Sequence, residues 1–227
     1  MRCLIGVIRT PRETFAAVIR NPRWLGAAGV IVTVSAVCSA GFLLTRVGEL
    51  AALDQQVRQL ESFGAEITDY RYEQLRRLVP YRPAISAAGI IIGWPLLWFG
   101  LAAVVQRIGS SVADARPTFT QVLAVIVHAS AVLMLREIVS APLHYARESL
   151  GGATSVSLLL PSFGDSTFPA RLLGAIDLFV VWWVVLIAMA LGMLYRARAV
   201  AVARWLFGAY ATGAALVALV QAFRGGV

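Results

Sequence analysis

The sequence predicts an all-α polytopic membrane protein: a five-transmembrane-helix bundle with an N-terminal interfacial helix and an extracytoplasmic helical hairpin. Three observations carry this expectation. Five apolar stretches, roughly Leu25 to Leu44, Ala84 to Val105, Phe119 to Ala141, Leu172 to Tyr195 and Trp205 to Phe223, each approach the about 20 residues that an α-helix needs to cross a bilayer. Hydrophobic residues make up 59% of the chain and the mean hydropathy is +0.76, above the roughly half-apolar usage of soluble domains. The third observation is that arginines gather at the ends of the apolar stretches. The longest polar stretch, Thr45 to Pro83, is too short to fold alone. Residues 1–227 therefore read as a single membrane domain, with 1–24 a cytoplasmic tail carrying the interfacial helix and 45–83 the hairpin between spans 1 and 2.

Charge placement gives the bundle a direction. The net charge of +8 rests on 20 cations, all arginine. Arg2, Arg9, Arg12, Arg20 and Arg23 precede the first span, Arg107 and Arg116 separate the second and third, and Arg196, Arg198 and Arg204 separate the fourth and fifth. The positive-inside rule makes these regions cytoplasmic, so the N-terminus lies inside and the C-terminus outside. The opposite side is balanced, with six arginines against six acids in Thr45 to Pro83 and two against two in Pro142 to Arg171. Arginine at span ends argues for lipid phosphate as the partner and against nucleic acid. The absence of lysine, beside heavy use of Ala, Val, Gly and Arg, matches a GC-rich bacterial genome, and hence an inner (cytoplasmic) membrane. Ser35-Ala36-Val37-Cys38 resembles a lipoprotein cleavage site, but Val37 is too bulky before the cysteine, so the first span is expected to be retained. Cys3 and Cys38, one in the tail and one in a span, are not expected to pair.

Each element has a local justification. Thr10-Pro11-Arg12-Glu13 reads as a capping box with proline at the first helical position, starting a short helix at Pro11. Phe15, Val18 and Ile19 share one face of it, so it is expected to lie in the cytoplasmic interface, with Arg12, Arg20 and Arg23 near lipid headgroups. Asn21 and Pro22 end it, and Trp24 anchors the first span. Leu50, Leu53, Val57 and Leu60 recur at heptad spacing, predicting that the first span continues outward as an amphipathic helix. That stripe either caps the bundle or forms a short coiled-coil seam. Gly64 breaks the stripe, and a second piece bearing Ile67, Tyr70, Leu75 and Leu78 runs back to Pro80 and Pro83. Gly89 and Gly93 offer a small-xxx-small face before a kink at Pro95. Thr118 and Gln121 form a second capping box at the third span, and Thr118-Phe119-x-x-Val122-Leu123 echoes Thr14-Phe15-x-x-Val18-Ile19. The echo marks either a duplicated two-helix unit or a general preference for such caps. The loop from Pro142 to Arg171 is expected to be irregular, with one apolar piece at Val156 to Leu160.

Ionisable groups inside spans are the candidates for function, because each costs about 3 kcal/mol at mid-bilayer unless paired. They are His128, Arg136 and Glu137 in the third span and Asp177 in the fourth. Matching depths allow an Arg136–Asp177 bridge, with snorkelling of Arg136 as the competing outcome. His128, with Ser130 close by, reads either as a neutral histidine hydrogen-bonded between helices or as a metal or proton site shared with Glu137 or His144. The spacing of these residues fits no metal-binding pattern. No nucleophile, paired-carboxylate or cofactor motif is present, so a non-enzymatic protein without cofactor is expected.

Pro11-x-x-Thr14-Phe15, Pro22-x-Trp24, Thr118-Phe119-x-x-Val122-Leu123 and Asp177-x-Phe179-x-x-Trp182 together resemble the bacterial branch of the Yip1-domain family. The resemblance covers nearly the whole chain and implies the five-span plan. Eukaryotic members are associated with Rab GTPases and vesicle traffic and carry a long cytosolic N-terminal region that this sequence lacks, so Rab binding is not carried over. The resemblance implies a membrane scaffold that binds lipids, other membrane proteins or itself. A small transporter or channel built on spans 3 and 4 is the alternative.

Overall fold

Among the described residues every regular element is a helix, the local solution that satisfies backbone polar groups where no water is available. The computed structural model describes residues 2–62, 64–112, 115–148 and 177–196, and of the last segment 202–205, 207–208, 210–213 and 215. Its helices are α1 (Arg2–Arg9), α2 (Pro11–Arg20), α3 (Leu25–Leu43), α4 (Arg46–Ser62), α5 (Asp69–Arg77), α6 (Arg82–Val112), α7 (Phe119–Ala129), α8 (Ala131–Arg147) and α9 (Leu178–Leu194), with a 3-10 turn at Val79–Tyr81. Three helical stretches are long and apolar enough to cross a membrane, Leu25–Leu43, Asp69–Gly109 and Phe119–Ala146, and α9 is a shorter apolar helix. The fourth expected span begins outside the described residues. Most of the fifth, Trp205 to Phe223, also lies outside them, and its described positions are helical. The loop after Glu148, including Val156 to Leu160, is outside them as well.

Contacts divide the chain into two compact units. The first comprises Met1–Ser35, Gly89–Leu135 and Phe179–Ala209. Its core centres on α7, whose residues Val122–Ala129 are all buried, and it draws in Phe15 and Val18 of α2, Leu4 and Val7 of α1, Trp98 and Ala102 of α6, and Leu186, Ile187 and Leu191 of α9.

The expectations for the N-terminus require two corrections. The tail before Pro11 is itself a helix, α1, which packs on α2 and α7. Consequently the face of α2 assigned to lipid is turned into protein, with Phe15 0% exposed. The first capping box does not form either. Thr10 makes no side-chain cap, and its N–H donates to the carbonyl of Gly6 at 2.8 Å. The N–H of Thr10, which the Glu13 side chain would accept in a capping box, is thus already taken by α1. The second box forms as expected. Thr118 Oγ1 accepts from Gln121 N, and Gln121 Oε1 accepts from Thr118 N at 2.9 Å. Gln121 Nε2 also donates to the carbonyl of Ile19 at 3.1 Å, covering an open acceptor in the last turn of α2. The echo between Thr14 and Thr118 is therefore not structural equivalence: Thr14 is buried inside α2, whereas Thr118 is an exposed cap.

The second unit comprises Ala36–Ala88, Arg136–Leu178 and Tyr210–Val227. Here α3 does not continue into α4, as the heptad pattern suggested. The chain turns at Leu44–Thr45, where Thr45 Oγ1 donates to Phe42 O at 2.7 Å and accepts from Gly48 N at 3.0 Å, opening a new helix. A side chain at Gly48 would collide with the carbonyl of Phe42, so the corner closes only around glycine. Gly48→Ala is expected to lower the detergent melting temperature by the equivalent of about 1–3 kcal/mol; an unchanged melt would show that the corner relaxes freely. The heptad stripe is divided between the two sides of the helix. Leu50 is exposed, and the buried side of α4 is Ala51, Ala52 and Leu53. Gly64 ends α4 as foreseen, with φ 77° and the paired bonds Gly64 N to Glu61 O and Ala65 N to Leu60 O.

The third span is two helices. Ser130, at φ −65° and ψ −6°, separates α7 from α8, and α8 passes Pro142 to reach Arg147, six residues beyond the expected end at Ala141. Pro95 likewise stays inside α6.

Candidate functional site

The polar residues of the third span fall into two environments. In the first unit, Ser130 Oγ donates to the carbonyl of Ile126 at 2.9 Å, the backward bond that bends a helix. The same oxygen accepts the indole N–H of Trp98 on α6 at 3.0 Å and that of Trp183 on α9 at 3.3 Å. A hydroxyl has one proton to give and two lone pairs to offer. All three are used, and they tie α6, the α7–α8 junction and α9 together. His128 is buried two residues earlier, and its Nδ1–H donates to Ala124 O, one turn before it, at 2.8 Å. This bond lies within α7, not between helices as expected. No group of three or more potential metal ligands exists among the described residues.

Around this node the core is apolar and aromatic. Trp94 stacks on Trp98 with centroids 5.3 Å apart, Trp24 meets Phe99 edge-on at 5.7 Å, and Phe99 stacks on Phe119 at 6.1 Å. Trp24, expected to anchor the first span, makes its edge-on contact with α6. Tyr195, at the end of α9, donates to Val105 O at 3.4 Å, and only glycine at 109 leaves room for its ring.

The charged residues belong to the second unit. Arg136 Nε lies 3.4 Å from Asp177 Oδ2, and Arg136 Nη2 lies 3.8 Å from Glu137 Oε1. The bridge allowed by depth matching is therefore present, joining α8 to the residue before α9. Asp177→Asn and Arg136→Gln are each expected to cost about 1–2 kcal/mol in detergent, and the charge-swapped double variant to recover part of the loss. Additive losses would refute the pairing.

Arg136, Glu137 and His144 line one wall of an open cavity of about 510 Å³. The other walls are Cys38, Ser39, Phe42 and Leu43 of α3, Ala52, Gln55, Gln56 and Gln59 of α4, and Arg82, Ile85 and Ser86 of α6. Ser39 and Ser86 share a hydrogen bond of 2.7 Å, Arg82 donates to Gln56 Oε1, and the ring of His144 tilts against Phe42 at 5.9 Å. Gln55 Oε1 is buried and has no partner among the described residues.

Sequence reading singled out Arg136 and Glu137 but missed Arg82 and the three glutamines. The available signal was the pairing of Ala51 and Ala52 with amides at 55, 56 and 59. Small residues mark the close-approach side of α4, and Gln55 and Gln56 on that side are half-buried. The expected headgroup contacts Arg12, Arg20 and Arg23 are exposed at the N-terminal helices.

Long apolar helices packed through apolar and aromatic side chains define an integral membrane protein of the helical class. The Yip1 domain model matches residues 5–223. The chain belongs to the Yip1-domain family. No curated protein and no solved structure matches it.

Proposed function

We propose that this chain is a non-enzymatic membrane scaffold of the bacterial Yip1 branch, a single membrane domain in the inner membrane that works by binding lipids or other membrane proteins. The observation that carries the reading is the surface of α6. Ile91, Ile92, Leu96, Val104 and Ile108 are all exposed along a helix of 31 residues. An apolar surface of this extent is covered by lipid or by another apolar protein face. Arg12, Arg20 and Arg23 add cations that suit lipid phosphates. The buried run Val122–Ala129 supports a scaffold over a transporter, because it encloses His128 in protein. Crosslinking in the native membrane before purification is expected to recover a specific membrane protein or an enriched lipid, and recovery of the chain alone would overturn the reading. Reconstituted liposomes are expected to show the solute flux of empty vesicles.

Arginine placement further supports an inside N-terminus and an outside C-terminus. A cysteine introduced at Glu61 is expected to react with an impermeant maleimide from the outside, and one at Arg198 to be protected. The reverse pattern would invert the topology.

A further inference from the structure

We infer that the cavity of the second unit binds a hydroxyl-bearing phosphodiester of the phosphoglycerol class, its phosphate on Arg82 and the Ser39–Ser86 hydroxyl pair and a hydroxyl on Gln55. Arg82 opens α6 directly before the apolar run that begins at Ala84, the position along a membrane helix at which an arginine reaches the headgroup level. It is half-buried, and its hydrogen-bond partner is neutral, the Oε1 of Gln56 on α4. No ion pair among the described residues includes it. The other arginine of the lining, Arg136, already meets the carboxylates of Glu137 and Asp177. Arg82 is therefore the cation that an incoming anion would answer, and its planar fork of N–H donors suits phosphate. Ser86 follows it by four residues, on the same side of α6, and both line the cavity. Ser39 Oγ and Ser86 Oγ lie 2.7 Å apart, so one of their two hydroxyl protons is spent between them and the other is left to donate.

Gln55 defines the rest of the ligand. Its Oε1 is buried and without a partner among the described residues, its side chain lines the cavity, and the next residue is the Gln56 that holds Arg82. A buried acceptor left unmet is costly, so the ligand that settles here brings an O–H or N–H donor. An ammonium would bring a second charge, and the one carboxylate of the lining, Glu137, is engaged by Arg136; a hydroxyl brings the donor alone. Phe42, Leu43, Ile85 and Ala141 supply an apolar side for the methylenes beside a headgroup, and Ile85 is exposed. The volume, about 510 Å³, falls within the roughly 300–1,000 Å³ of small-molecule sites. The same phosphoglycerol chemistry occurs in lipid headgroups and in soluble glycerophosphodiesters. The inference deepens the lipid-binding side of the scaffold reading and rests on it for the lipid source alone.

Cys38 lines the cavity and serves as the reporter. In the Cys3→Ser chain, maleimide labelling of Cys38 is measured in detergent with added phosphatidylglycerol, phosphatidylethanol (an anionic diester without hydroxyls), phosphatidylcholine or water-soluble glycerophosphoglycerol. Phosphatidylglycerol is expected to slow labelling about tenfold and phosphatidylethanol about twofold, a gap that matches roughly one hydrogen bond. Phosphatidylcholine is expected to leave the rate unchanged. Equal protection by glycerophosphoglycerol would support the site with a soluble source, and protection by the lipid alone would support it with a lipid source. Gln55→Met is expected to close the gap between phosphatidylglycerol and phosphatidylethanol, and Arg82→Gln to remove protection by every compound. If Arg82→Gln fails to fold, Gln55→Met, which removes a buried polar atom at nearly constant size, decides alone. Labelling indifferent to every compound, equal protection by phosphatidylcholine or phosphatidylethanol, or an unchanged gap in Gln55→Met would overturn the inference. A protein partner recovered by crosslinking beside such a result would remove the ligand and leave the scaffold standing, whereas solute flux from a chain that keeps the protection would remove the scaffold and leave the site.

Discussion

Phe15→Ala is expected to destabilise the detergent-solubilised protein by about 3–5 kcal/mol, the range for deleting a buried phenyl ring from a packed core. Phe15 is 0% exposed and sits in the same cluster as Val122 and Leu123 of α7. Its ring is therefore part of the internal packing of the first unit. The two readings of α2 separate cleanly here. If the helix lay on the membrane with Phe15 in lipid, the substitution would leave the melting temperature in detergent unchanged and weaken only interfacial association. A drop of many degrees with Phe15→Ala, beside little effect of Arg12→Ala on the exposed side, is the outcome required by the buried arrangement. Equal, small effects of both would restore the interfacial helix. Phe15→Leu, which keeps most of the volume, is expected to recover most of the loss.

Ser130→Ala is expected to cost about 2–3 kcal/mol, because it strands two indole N–H groups that no longer find an acceptor. The loss is larger than that of an ordinary serine because one oxygen completes three hydrogen bonds. Trp98→Phe removes one donor together with its partner's obligation and is expected to cost less than Ser130→Ala. The double variant is expected to be less destabilised than the sum of the two, since the stranded Trp98 N–H is absent from it. Thermal melts of the four proteins in one detergent form the cycle, and strict additivity would refute the shared node. Tryptophan fluorescence offers a second readout: freeing indoles buried in this core is expected to shift the emission of Ser130→Ala while leaving that of Gly48→Ala unchanged.

Much of the helical scaffold was legible from local pattern. Leu25–Leu43 and a helix starting at Phe119 occur where apolar length placed them, and the span expected over Ala84 to Val105 lies within α6. Gly64 closes α4 and Thr118 opens α7 as their caps suggested. Corrections arose wherever a second segment competes for the same groups. Thr10-Pro11-Arg12-Glu13 has the composition of a capping box, but α1 already supplies the hydrogen-bonded backbone. Leu50, Leu53, Val57 and Leu60 keep heptad spacing, yet Leu50 is exposed while Ala51 and Ala52 are buried beside Leu53.

The candidate site divides in the same way. Arg136 and Asp177 could be matched by depth because both lie a similar distance from the same bilayer face, and burial in hydrocarbon makes an unpaired charge costly. Arg82 and the amides of α4 could not, since nothing in a single segment says which wall of which cavity they will face.

By itself the sequence determined membrane residence and the positions of the long apolar helices. These follow from transfer free energy and backbone capping, quantities that add up residue by residue along one segment. The tertiary structure alone decided that α2 turns its apolar face to protein, that Ser130 binds two tryptophans, and that Arg82 and Arg136 line one cavity. Each of these depends on hydrogen-bonding capacity or charge being met by residues distant in the chain, and that matching is set by packing in three dimensions.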